Sequence, residues 1–448
     1  MSGGAFGRLT DPPASIVVVG ARVVDPAGQT DEVRDVAVVD GILADGPATD
    51  GERVDGRGLV LAPGLCDLHA HLREPGTPGE TVASGTRAAA HGGFTTICAM
   101  PNTDPPLDSA DAVTSVLEAG AGASCRVRVI GAATRGRAGR EEADLEAMAA
   151  AGAAGFSDDG ASVLDSAVAR SVLESLVKLG LPLMEHAEDA ELAGVGVMRR
   201  GAYAMRLALA PWPPEAELAV VQRDLALAEA TNARVHLTHL STAAAVDAVR
   251  DAKARGVAVT CDVTPHHLAL TDAWVAGSRR LAWEEADPDQ ERAYDGSCRV
   301  NPPLSSHDDA LALLAGIADG TVDAIATDHA PHPMERKTVP FEDAAPGLIG
   351  LETALSLGLA AVEAGRLDLA VLLGALSARP AAIIGEARRL EAGTPADFVL
   401  FDSAARWRVD ASALASASAN TPLVGMELPG VVRMTVAGGR VTFRAATR

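Results

Sequence analysis

The segment Asp67-Leu68-His69-Ala70-His71 carries the clearest chemistry in this chain. Side chains alternate between the two faces of a β-strand, so His69 and His71 point to the same side. Two imidazoles held together in this way are natural ligands for zinc or a similar ion. Two partly exposed histidines on a strand end would give the same spacing, so the pair alone decides little. Other apolar runs end on the same kinds of side chain: Phe156-Ser157-Asp158-Asp159-Gly160, Glu185-His186, Thr238-His239-Leu240-Ser241 and Thr327-Asp328-His329. In a closed parallel barrel the C-terminal strand ends converge on one mouth. Four further ends offering His or Asp there predict a metal centre.

Parity chooses among neighbours. His236 and His239 are three apart and face opposite sides of a strand; His239 is better placed at the end, and His236 reads as an outward core histidine. Asp158 and Asp159 also oppose each other. Asp159 shares parity with Ser157 and is favoured, at a strand end where bending can undo the alternation. His329 faces away beside Asp328, while His91 and His307 fall in helical stretches and read as surface or packing residues. The set His69, His71, Asp159, His186, His239 and Asp328 is too large for one tetrahedral zinc. It suits two metals bridged by one carboxylate, an arrangement that lowers the pKa of a shared water and polarises a carbonyl.

The elements that must position these groups follow from alternation along the chain. Strand-like runs lie near Leu65–His71, Phe94–Met100, Arg126–Gly131, Gly155–Asp159, Leu183–His186, Val235–His239, Ala258–Val263 and Ala324–Asp328. Helical stretches separate them, for example Ser162–Leu179, Glu215–Thr231 and Thr242–Arg255. Eight β/α units predict an α/β fold, a (β/α)8 TIM barrel over residues 63–390. A doubly wound open sheet competes, and the converging ligand pattern favours the barrel. The chain ends differ. Ser15–Val19, Val36–Val39, Ala396–Asp402 and Val431–Val436 are strand-like, with turns at Asp40-Gly41 and Gly438-Gly439. They predict one small β domain assembled from residues 1–62 and 391–448.

Composition narrows the function. A net charge of −22 argues against a nucleic-acid partner. With 48% hydrophobic and 22% charged residues the chain has an ordinary soluble composition. No apolar run reaches the roughly 18–20 residues of a membrane span, and Met1–Thr10 lacks the layout of a secretory signal. The expectation is a cytoplasmic protein with no membrane contact. The five scattered cysteines lack CxxC spacing and read as reduced, buried thiols.

At the metal-binding residues the sequence resembles the amidohydrolase superfamily, and within it the bacterial class I dihydroorotases. The matching stretches are Pro63-Gly64-Leu65-Cys66-Asp67-Leu68-His69-Ala70-His71-Leu72-Arg73-Glu74-Pro75-Gly76, Gly92-Gly93-Phe94-Thr95-Thr96 and Met100-Pro101-Asn102-Thr103. Further on come Phe156–Gly160, Val263-Thr264-Pro265-His266-His267-Leu268, Asn301-Pro302-Pro303-Leu304 and Ala326-Thr327-Asp328-His329-Ala330-Pro331-His332. Gly393-Thr394-Pro395-Ala396-Asp397 is similar to the start of the superfamily's C-terminal β segment. Hydantoinases, dihydropyrimidinases and allantoinases bridge their metals with a carboxylated lysine at the end of strand four. The lysines here are Lys178, Lys253 and Lys337, none at that place. The resemblance therefore implies a bridging aspartate, the second of Asp-Asp-Gly, which is Asp159.

The resemblance implies reversible hydrolysis of (S)-dihydroorotate to N-carbamoyl-L-aspartate, a step of pyrimidine synthesis, with Zn2+ as cofactor, two ions per chain. Asp328 is then the catalytic residue, taking a proton from the attacking water and giving it to the departing ring nitrogen. Arg73, on the same face as His71, offers a guanidinium fork suited to the substrate carboxylate. By resemblance Asn102 and His332 join it, His71 also borders the substrate, and Asn301 with the backbone of Pro346-Gly347 takes the ring's amide edge. A homo-oligomer and association with aspartate transcarbamoylase are further expectations. The rival readings are a catalytically silent scaffold for that transcarbamoylase and an amidohydrolase of another cyclic ureide. The loop Pro333–Pro346 reads as a mobile cover. Arg206–Pro214, with Trp212, and Tyr294–Val300 depart from the family pattern.

Overall fold

The computed structural model describes residues 4–46 and 51–446. The outer ends of the expected composite β domain, residues 1–3 and 447–448, and its internal segment 47–50 lie outside the described residues.

Eight parallel strands form one sheet in chain order. They are β1 (Leu65–Ala70), β2 (Phe94–Ala99), β3 (Arg126–Ala132), β4 (Ala153–Ser157), β5 (Leu183–Glu185), β6 (Val235–Leu237), β7 (Val259–Val263) and β8 (Ala324–Ile325). A parallel bridge from Ala70 to His329, with His71 N–H donating to the His329 carbonyl at 2.9 Å, brings the two edges together. The expected α/β barrel is the observed fold. Its two faces differ as period-two alternation requires. Leu65, Ile97, Val129, Val235 and Ile325 pack outward beneath the helices. Leu68, Cys98, Met100, Ile130, Met184, Ala324 and Ala326 fill the interior as an apolar plug below the mouth.

Several helices between the strands start where a side chain satisfies free N–H groups. The helix Glu215–Thr231 has the expected bounds. The helix expected from Ser162 begins at Ser166, because Asp165 caps it by accepting from the N–H groups of Ala167 and Val168. Thr242 caps Ala243–Ala254 in the same manner.

Both chain ends enter a second sheet. Its order is Gly4–Phe6, Arg440–Ala445, Glu427–Ala437, Phe398–Arg408, Val60–Pro63, Ile16–Asp25, Thr30–Val39 and Ile42–Leu43, with Glu52–Asp55 also pairing Ile16–Asp25. The antiparallel pairing of Phe398–Phe401 with Val60–Pro63 joins the two halves. Val399, Phe401, Val432 and Phe443 share the large core with the barrel helices, so the sheet is fastened to the barrel by apolar contact. We propose the division into residues 1–62 with 391–448 and residues 63–390 on this basis. All five cysteines are free and buried. Among the described residues no helix is long and apolar enough to cross a membrane.

Candidate metal centre

The ligand candidates stand at the C-terminal strand ends, and most lie just beyond the last paired residue. β1 carries His69, with a register irregularity against β2 between Asp67 and Ala70. His71, Asp159, His186, His239 and Asp328 follow β1, β4, β5, β6 and β8. His239 and Asp328 adopt left-handed backbone, φ +39 and +44. Such a conformation is costly for residues other than glycine and recurs at functional sites. Here it turns both side chains into the mouth.

The six side chains meet. Asp159 Oδ1 lies 3.2 Å from His69 Nε2, 3.7 Å from His186 Nδ1 and 3.8 Å from His239 Nε2, while its Oδ2 lies 3.7 Å from His71 Nε2. Asp328 Oδ1 is 2.9 Å from His71 Nε2 and 3.5 Å from His69 Nε2. His186 Nδ1 and His239 Nε2 approach to 2.9 Å. None of the six is more than 7% exposed. Burial raises the cost of ionising Asp159, but His69 foremost, with His186 and His239, holds it well below the usual carboxylate range. Asp328 is likewise lowered against its burial by His69 and His71. Burial pulls His69 down, yet Asp159 and Asp328 bring it up to about 10. The cluster thus has a strongly negative field that wants a cation.

A metal fits that demand. Ligand atoms of His69, Asp159 and His239, and of His69, His71 and Asp328, form two overlapping groups able to hold an ion. His69 Nε2 makes no hydrogen bond to either nearby carboxylate, and His186 Nε2 is also unpartnered. Buried polar atoms are rarely left so without a reason.

Asp158 turns away from the cluster. One of its oxygens accepts the Thr134 N–H at 2.9 Å and the other the Thr134 hydroxyl. His236 corrects the parity reading. It sits in register with Met184 of the interior plug and points into the barrel, not outward. Its Nε2 is 2.8 Å from Asp262 Oδ2, and Asp262 Oδ1 accepts the His239 N–H at 2.7 Å. Alternation ends at Leu237, and the left-handed turn at His239 lets both histidines face inward. His329 contacts Glu80 at 3.2 Å, away from the cluster. His91 pairs with Glu352, and His307 is exposed.

The expected substrate contacts divide. Arg73 is buried, φ +62, donates to the Pro331 carbonyl at 3.2 Å and lies 3.4 Å from His332 Nε2. His332 Nε2 is 2.8 Å from the Pro346 carbonyl. Burial, with Arg73 beside it, depresses His332 to about 3, so the ring is neutral. Gly347 N–H donates to the Arg299 carbonyl at 2.8 Å, which places Asn301 on the adjoining strand of chain. Asn102 is used differently. His71 Nδ1 is 2.7 Å from its Oδ1, and its Nδ2 donates to Asp159 Oδ2 at 3.0 Å. Both ends of the amide are spent on the ligand cluster.

Some supporting residues escaped sequence reasoning. Asp67 accepts from the Thr327 N–H and hydroxyl at 2.7 and 2.6 Å, tying β1 to the turn that carries Asp328. Its place two residues before His69 was the available signal. Arg137 donates to the Asp159 carbonyl. The two departing regions touch: Tyr294 donates to the Leu207 carbonyl at 3.0 Å. Trp212 lies under the Arg199 guanidinium, 4.7 Å from its ring, and donates to Glu188 at 2.7 Å.

A sequence model of the family described as Dihydro-orotase-like matches residues 58–245. A dihydroorotase from Anaeromyxobacter dehalogenans (strain 2CP-C) is 46% identical over 435 residues, covering 95% of this chain and 97% of the relative. A dihydroorotase from Geotalea daltonii is 41% identical over 440 residues, covering 96% and 99%. Among solved structures, L-hydantoinase (dihydropyrimidinase) from Arthrobacter aurescens superposes with a TM-score of 0.81 at 24% identity, covering 98% of this chain and 96% of that one. Dihydropyrimidinase from Brevibacillus agri NCHU1002 gives 0.79 at 22%, covering 95% and 94%. At these identities the structures speak to fold alone.

Proposed function

The chain belongs to the dihydroorotase family and is a cyclic amide hydrolase, and from that premise we propose that it interconverts (S)-dihydroorotate and N-carbamoyl-L-aspartate in pyrimidine synthesis using two zinc ions. The observation that carries the reading is Asp159, which reaches His71 with one oxygen and His69, His186 and His239 with the other. A carboxylate so placed suits a bridge between two ions. His69, His71 and Asp328 would hold one ion, His186 and His239 the other. Bound there, metal ions would supply Lewis acidity toward the scissile carbonyl and toward water near neutral pH.

The chain's own residues do the rest. Asp328, kept ionised by His69 and His71, takes the proton of the attacking water and passes it to the departing ring nitrogen. Arg73 and His332, in contact at the rim, receive the substrate carboxylate. Asn301 and the Pro346-Gly347 backbone take the amide edge of the ring. A cytoplasmic location, a homo-oligomer and an aspartate transcarbamoylase partner belong to the same proposal. The silent-scaffold reading is disfavoured because all six ligand side chains are present and convergent.

The test is turnover of dihydroorotate followed by absorbance, with and without zinc, beside Asp328→Ala. Zinc-dependent ring opening that the variant lacks is expected. Metal-loaded protein that leaves dihydroorotate intact, alone and with the transcarbamoylase, refutes the assignment.

A further inference from the structure

We infer that Lys337 is a positioning residue whose ammonium ties the two ring-binding stretches of backbone, around Asn301 and Pro346-Gly347, into one strap across the barrel mouth. The inference rests on the proposed role of those stretches toward the substrate ring.

Lys337 sits in the loop after β8 and is 2% exposed. Its Nζ donates to the carbonyl oxygens of Arg299 at 3.0 Å, Ala345 at 2.6 Å and Gly347 at 2.8 Å. An ammonium has three donors and no acceptor, so these bonds exhaust it. No carboxylate pairs with it among the described residues, and burying a cation without a counter-ion is costly. The two stretches arrive from different loops, one after β7 and one after β8. Gly347 N–H also joins them directly, donating to the Arg299 carbonyl at 2.8 Å. The close approach leaves no slack: a Cβ on Gly296 would stand 2.1 Å from the Lys337 carbonyl oxygen. The segment expected to be a mobile cover is therefore fastened at Lys337, with Phe341, Ala344 and Ala345 buried beside it.

Burial pulls the Lys337 ammonium down to about 7. Asp295 favours the charge and is itself held by Arg279 at 2.9 Å; Cys298 beside it is a neutral buried thiol, and the Arg299 guanidinium opposes the charge, with His332 and Arg336 nearby at the rim. A neutral amine donates only two bonds, so one carbonyl is released as pH rises through that value.

The experiment compares metal-loaded wild type with Lys337→Met and Lys337→Arg. It reads kcat and KM for dihydroorotate, metal content, and backbone hydrogen exchange at residues 299–303 and 345–349. Lys337→Met should raise KM roughly 10-fold, the equivalent of one lost bond to a charged group, with kcat within about threefold and metal content unchanged. Exchange should quicken at both stretches, and Lys337→Arg should recover part of each effect. Wild-type KM should climb between about pH 6 and 9, a limb the Met variant lacks. Unchanged KM with unchanged exchange overturns the inference, as does loss of kcat in step with loss of metal. If wild type does not open dihydroorotate, the proposed function fails while the exchange comparison still decides the strap. If the Met variant does not fold, Lys337→Gln takes its place, and a wild-type KM with wild-type exchange protection at both stretches overturns the inference.

Discussion

Replacing Asn102 by alanine separates two roles for one amide. The resemblance assigns Asn102 to the substrate carboxylate, yet its Oδ1 faces His71 Nδ1 at 2.7 Å and its Nδ2 donates to Asp159 Oδ2 at 3.0 Å. The first contact orients the His71 ring, with Nδ1 at the Asn102 oxygen and Nε2 directed into the cluster, where Asp328 Oδ1 stands 2.9 Å away. The second holds one oxygen of Asp159. Outer partners of this kind are worth about 10–100-fold in metal affinity, or about 1.4–2.7 kcal/mol. Asn102→Ala removes both at once, so the expected loss lies toward the upper end. The assay is zinc affinity by chelator competition on folded protein, beside KM for dihydroorotate. A variant that binds zinc as wild type does and suffers only in KM would refute the ligand-orienting role and restore the carboxylate assignment.

Three other expectations concern the cluster, the rim and the plug. Asp159→Asn should lose more than about 100-fold in metal affinity, beyond the cost of an outer partner, while Asp158→Asn stays within about tenfold; metal analysis of both variants checks this, and equal losses would count against the bridge. His332 is held near 3 in the fold, against an ordinary 6.5 in the unfolded chain. As pH falls between these values the unfolded chain binds the extra proton, so the stability attached to this ring is complete above 6.5 and shrinks on acidification. His332→Gln should flatten that part of the stability curve, measured by denaturant unfolding at several pH values; an unaltered slope would mean the ring is not held neutral. Leu68→Ala, in the interior plug, should cost about 2–5 kcal/mol in the same unfolding assay, and a cost under about 1 kcal/mol would mean that the interior collapses around the gap.

The barrel was readable because its strands are apolar runs whose ends carry the chemistry. The helix Glu215–Thr231 kept its expected bounds because Pro214 and Asn232 flank it plainly. Ser162 was misjudged as helical because Asp165, three residues on, is the stronger cap. Parity set Asp159 and Asp158 on opposite sides, and Asp159 is the one that faces His69, His186 and His239, but parity failed at His236, since no residue pattern announces that His239 turns left-handed. Contacts between distant segments were the least visible: Asp67 with Thr327, Asp262 with His236, and Lys337 with three carbonyls join strands and loops that meet only in the folded chain.

The site is polarised from floor to rim, and that polarity bears on substrate choice. Asp159 and Asp328 stay ionised at the bottom, over the buried pair His236–Asp262, and call for cations among the imidazoles. Arg73 stands above them; burial lowers it to about 10, and it is sustained foremost by Asp328 and Asp159. Its guanidinium spends one donor on the Pro331 carbonyl and rests against a neutral His332, so charge at the rim remains for an incoming anion. An anionic cyclic amide would enter with its carboxylate at Arg73 and its ring toward the metal ligands. A neutral ureide gains nothing from that guanidinium and leaves the donors not spent on Pro331 without an anion. Arg73→Gln should therefore narrow the gap in kcat/KM between dihydroorotate and a neutral cyclic ureide, by loss on the acidic substrate, and a uniform loss on both would argue that Arg73 serves the fold and not the choice of substrate.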